Sequence, residues 1–119
     1  MRSSTRPIPP NDPKVKLMAF DTQYVQIHEA ILAALANTSD PAQVSLLLSE
    51  RDKARDAYMR ALHAQLSASD PRLKTVVQGL KVAAQGLADQ SEAQTKLDAY
   101  IGKIQTAVEW LTKLLVYVS

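Results

Sequence analysis

The chain has 119 residues, a net charge of +2 and no cysteine. That length suits one domain able to fold without a metal or a disulfide. The missing cysteine excludes disulfides, thiolate nucleophiles and cysteine-based zinc sites, and the small net charge argues against a polyanionic partner.

Composition favours helix. There are 17 alanines, against three glycines and one phenylalanine. Alanine loses no side-chain entropy in a helix, and the long straight side chains of Leu, Gln, Lys and Arg lose little.

In chain order, residues 1–12 read as a tail, because Pro7, Pro9, Pro10 and Pro13 block regular helix. Met1 to Pro10 hold no apolar core of the kind a signal peptide needs. No stretch approaches the roughly 18 apolar residues of a membrane span. The expectation is a cytoplasmic protein in which 13–119 form a single helical domain.

Asp-Pro then occurs three times, as Asp12-Pro13, Asp40-Pro41 and Asp70-Pro71. An Asp carboxylate accepts from the free N–H groups of a first helical turn, and Pro suits the first helical position because its missing N–H had no partner there. Three helix starts are therefore expected near 13, 41 and 71. Gln43 completes a capping-box pattern with Asp40.

The first predicted helix covers 13–37, with Leu17, Phe20, Tyr24, Ile27, Ile31 and Ala34 at spacings of three and four, and Asn37 as its stop. Met18, Val25 and Leu32 form a second apolar row that widens the stripe. The second helix covers 41–67. Val44, Leu47, Leu48, Tyr58, Leu62 and Leu66 supply its apolar face, and an alanine row runs through Ala54, Ala57, Ala61, Ala64 and Ala68. The third covers 71–88, with Leu73, Val76, Val77, Leu80, Ala84 and Leu87 inward. Gly79 and Gly86 are placed there as points of close approach, since an interior glycine otherwise costs roughly 1 kcal/mol. The fourth covers 92–118, with Leu97, Ile101, Ile104, Val108, Leu111, Leu115 and Val118 in strict three-four spacing. Ser91 with Gln94, or Asp89 with Glu92, offers its capping box.

These four segments predict an all-α fold, an antiparallel four-helix bundle. The alternative is three long helices in a dimer, with 71–118 unbroken and about 70 Å long at 1.5 Å per residue. The polar run Asp89-Gln90-Ser91-Glu92 favours the break, because breaking there lets every apolar face close on one core.

No catalytic or cofactor motif emerges. The residues three after Glu29, Glu50, Glu92 and Glu109 are Leu32, Lys53, Thr95 and Thr112, so the Glu-x-x-His pattern of di-iron bundles is missing. His28 and His63, the two histidines, lie on different helices and read as border residues. No phosphate-binding glycine loop and no nucleophile elbow is present, and no cofactor is expected. An enzyme would need a pocket lined by Tyr24, Tyr58 or His63, which the sequence cannot show.

Two surfaces stand out. Trp110, Leu114, Val116 and Tyr117 make the C-terminal end apolar almost all round, and such a helix is normally buried on every side. A monomeric bundle buries only part of each helix, so these four residues are the expected interface with a second copy, Trp and Tyr being favoured anchors, unless the N-terminal tail with Ile8 folds over them. Lys103 and Lys113 are too few cations for a membrane-surface helix. Arg51 and Arg55 interrupt the apolar face of the second helix. Either they snorkel, stems on the core edge and heads in water, or they form an electropositive patch that grips an acidic partner.

The resulting expectation is a non-enzymatic protein-interaction module, of the adaptor, chaperone or immunity-protein kind by analogy of fold alone, that homodimerises through its C-terminal helix. The alternative is a nucleic-acid-binding protein using Arg2, Arg6, Arg72, Lys74 and Lys81 on phosphates, against which the low net charge weighs.

Overall fold

The computed structural model describes residues 21–63 and 71–117, with His63 and Tyr117 described for their backbone only. The predicted tail over 1–12, the first helix start near Pro13, and Asp70, Ala64, Ala68 and Val118 lie outside the described residues. The described residues form α1 (Asp21–Ala36), α2 (Pro41–His63), α3 (Pro71–Gln85), a short α4 (Glu92–Thr95), α5 (Leu97–Lys113) and a 3-10 turn (Leu114–Tyr117), with no strand among them. The protein is all-helical. None of the described helices is long and apolar enough to cross a membrane.

Helix α2 starts as its Asp-Pro pair requires. The Asp40 Oδ1 accepts from the Ala42 N–H at 2.9 Å, and the Asp40 carbonyl accepts from the Val44 N–H at 3.0 Å. The expected reciprocal bond from Gln43 is not made. Instead the Thr38 hydroxyl accepts from the Asp40 N–H at 3.2 Å and donates to the Gln43 side-chain oxygen. The Gln43 amide is thereby free to donate to Asp98 on α5 at 2.8 Å, tying the start of α2 to another helix. At the preceding boundary the Asn37 side chain donates to the Ala33 carbonyl at 2.8 Å and closes α1 where the sequence placed its stop.

The chain breaks between α3 and α5, so the alternative of one helix over 71–118 is incorrect. Asp89 Oδ1 accepts from the Ser91 N–H at 3.2 Å and from its hydroxyl at 2.5 Å, a local turn that competes with helix. Neither expected capping box forms: the Ser91 hydroxyl is held by Asp89, and Glu92 pairs with Lys103 at 2.8 Å. A second discontinuity, unforeseen, falls at Lys96, whose φ of −142° and ψ of 55° leave the helical region. Beyond it the buried Tyr100 hydroxyl donates to the Leu87 carbonyl at 2.8 Å, pinning the end of the α3 segment to α5.

Helix α5 packs against α1, α2 and α3, and α1 also packs against α2 and α3. The core draws on Ile27, Ile31, Leu47, Leu80, Leu87, Tyr100, Ile104, Val108, Leu111 and Leu114. Burying one such side chain contributes about 1.5–3 kcal/mol. Two expectations about facing need correction. Helix α2 turns its alanines inward: Ala54, Ala57 and Ala61 are buried, whereas Leu62 is exposed and Leu48 and Tyr58 are half-buried. Small side chains let α2 approach its neighbours closely, which a leucine row would prevent. At the C-terminus, where the chain tightens to a 3-10 turn, Leu114 enters the core in full and Leu115 packs half-buried against it.

Candidate interaction site

The C-terminal residues are distributed between core and surface. Trp110 leaves α5 toward α3 and lies on Gly79: a Cβ at that position would stand 2.7–2.8 Å from three indole ring atoms. The Lys113 ammonium sits 4.2 Å from the centre of the same ring. Trp110 is consequently half-buried by its own chain. Leu114 is fully buried and belongs to the core, so it is not available to a second copy as the sequence suggested. Val116 is 76% exposed, and the side chain of Tyr117 lies outside the described residues. Gly79 is thus a point of close approach as expected, to an indole. Gly86 is not: it is exposed in the turn after α3 and its nearest neighbours are carbonyls of that same segment.

Next to Val116 an open groove of about 730 Å³ runs between α2 and α5. Glu50, Lys53, Gly102, Thr106, Glu109 and Lys113 line it with Val116 at its end. Glu50 is only 6% exposed and pairs with the exposed Lys53 at 3.1 Å. Gly102 opens the middle of the groove, with nothing within 4 Å of the place its Cβ would occupy. Both signs of charge and an open helix backbone therefore share one surface.

Arg51 and Arg55 lie on another flank of α2. Arg51 is half-buried and its Nε stands 3.6 Å from Asp52; Arg55 is exposed. One turn on, Asp56 pairs with Arg60 at 3.1 Å, while Asp52 turns to Arg51. Surface pairs of this kind contribute at most about 1 kcal/mol.

Beside them Tyr24 and Tyr58 stack, ring centres 4.2 Å apart and planes within 5°. The Tyr58 hydroxyl donates to the Asp21 carboxylate. Burial, followed by that hydrogen bond and the charge of Asp21, pushes the Tyr58 phenol up to about 12. His28 also stacks with Tyr24, ring centres 6.1 Å apart. The two tyrosine rings are in van der Waals contact where α1 meets α2. On α3, Arg72, Lys74 and Lys81 are exposed; Lys74 and Lys81, seven apart, share a face, and Arg72 does not.

Sequence reasoning missed one set of residues. Val25 and Leu32, assigned to the buried stripe of the first helix, are about half exposed, as are Met59 and Leu62 on α2. The signal was present, since a second row at sevens beside a full three-four row makes a stripe too wide for one core to cover. Comparison with known proteins gives no match, whether to a family model, a curated protein or a solved structure.

Proposed function

We propose that this protein is a non-enzymatic interaction module, an antiparallel four-helix bundle that pairs with a second copy of itself through the α2/α5 groove. The carrying observation is the groove itself: an open backbone at Gly102, two acids and two bases along its length, and Val116 exposed at its end. A two-fold contact requires a self-complementary surface, in which each residue meets its counterpart's neighbour and the reverse. A surface of mixed charge satisfies this and a surface of one sign does not. Relative to the sequence expectation the contact shifts from the apolar residues Trp110 and Leu114 to the outward side of α5, because Leu114 is buried in the core and Trp110 is half-covered on Gly79.

The test is sedimentation velocity on the wild type and on Thr106→Arg, which fills the middle of the groove. A concentration-dependent dimer that Thr106→Arg abolishes is expected. A dimer unaffected by Thr106→Arg would place the contact elsewhere.

A further inference from the structure

Four of the exposed large apolar side chains gather along one seam. Val25 and Leu32 on α1 are 49% and 48% exposed, and Met59 and Leu62 on α2 are 43% and 39% exposed. The Tyr24–Tyr58 stack fixes how the two helices meet. Counting 100° per residue from Tyr58, Arg51, Leu62, Arg55 and Met59 fall within about 80° of arc, on the other side of Tyr58 from the buried Ala54, Ala57 and Ala61. Counting likewise from Tyr24, His28, Asp21, Leu32 and Val25 fall within about 60°, on the other side of Tyr24 from the buried Ile27, Ile31 and Ala34. The two arcs border the same outer seam between α1 and α2.

The charges along this seam are mainly positive. Arg51 and Arg55 stand nearest it on α2, whereas Asp52, Asp56 and Glu29 lie further round, toward solvent. Asp21, the acid at the seam, already accepts the Tyr58 hydroxyl. Among the described residues no ion pair reaches Arg55, and Arg51 holds only the loose contact to Asp52. The seam is therefore an apolar strip with a cationic margin.

We propose that this seam binds an acidic amphipathic helix of another protein. The inference rests on the chain being an interaction module, and it adds a second surface to the α2/α5 groove, on the other flank of α2. Apolar anchors seven residues apart on α1 and three apart on α2 fit a row of Leu-type side chains on a docked helix. The guanidinium groups of Arg51 and Arg55 then take carboxylates along one edge of that helix, a geometry Arg supports through paired N–H donors. The chain's own residues 1–16 are the wrong occupant, since they carry Arg2, Arg6, Lys14 and Lys16 against Asp12 alone.

Two synthetic amphipathic peptides of about five turns (~18 residues) provide the probe. They share one leucine face and carry either Glu or Lys beside it. Fluorescence anisotropy is read against wild type, Arg51→Glu/Arg55→Glu and Val25→Ser/Leu32→Ser, all checked for helicity by circular dichroism. The wild type is expected to bind the Glu peptide and not the Lys peptide. Both double variants bind the Glu peptide at least about tenfold more weakly. The charge-reversed variant takes up the Lys peptide instead. Equal binding of the two peptides, no binding, or undiminished binding of the Glu peptide by the charge-reversed variant would overturn the proposal. Solution mass measured on the same samples separates the two surfaces. A dimer that binds no peptide defeats this inference alone, and a monomer that binds it defeats the self-association alone. A dimer that dissociates on Arg51→Glu/Arg55→Glu makes the seam a contact between copies, which also overturns it.

Discussion

The same substitution at two glycines should move stability in opposite directions. Replacing an interior helical glycine by alanine gains about 0.8–1 kcal/mol of helix propensity where the methyl meets nothing. Gly102 is such a place, with no atom within 4 Å of the new Cβ. Gly102→Ala should stabilise by about 0.5–1 kcal/mol. At Gly79 the new Cβ would stand 2.7–2.8 Å from the Trp110 ring. Carbon atoms in contact sit about 3.5 Å apart or more, so the indole must retreat by about 0.7 Å. The contact is with the rigid ring itself, and overpacking of that kind costs about 1–3 kcal/mol. After the propensity gain, Gly79→Ala should lose about 1 kcal/mol, leaving the two variants about 2 kcal/mol apart. Urea denaturation resolves that gap, and Trp110, the single tryptophan, reports its own displacement by a shift in emission. Equal stabilisation by both alanines, with unchanged Trp110 emission, would refute the packing of α5 on α3 through this pair.

Three further outcomes follow from the same contacts. Asp40→Ala should lose about 1 kcal/mol by freeing the Ala42 N–H, and a midpoint unchanged in urea would mean the cap is unimportant. Tyr100→Phe leaves the buried Leu87 carbonyl without its donor and should cost about 1–3 kcal/mol; a neutral result would show that water replaces the hydroxyl. Tyr58 is raised from 10.0 to about 12, so folding favours its protonated form. The stabilisation this gives is intact below pH 10 and is lost as pH rises toward 12. The alkaline fall in melting temperature should therefore be shallower in Tyr58→Phe than in wild type over that window, and parallel curves would argue against the burial of the phenol and its bond to Asp21.

Local punctuation was the most legible layer of this sequence. Asp40-Pro41 placed a helix start because the chemistry of a first turn involves only neighbouring residues. The polar run near Asp89 placed a break for the same reason. What local rules could not decide was which of two apolar rows faces inward. On α2 both an alanine row and a leucine row were available, and the alanines face inward together with Leu47 while Leu62 stays exposed. On α1 the surplus row of Val25 and Leu32 stayed outside, and it is now part of the proposed seam. The C-terminal end divides between core and surface, with Leu114 buried and Val116 exposed. An all-round apolar helix suggested a partner, yet Gly79, forty places from the chain end, supplies the surface that Trp110 covers. Pairings so distant in sequence leave no periodic trace. The charged lining of the α2/α5 groove was equally hidden, since Glu50 and Lys53 come from one helix and Glu109 and Lys113 from another.

Light scattering on the eluting wild-type chain, run over a wide range of concentration, tests self-association most directly. A compact particle of twice the 13.1 kDa chain mass, dissociating on dilution, is the expected result. A particle that keeps the mass of one chain at every concentration would contradict it.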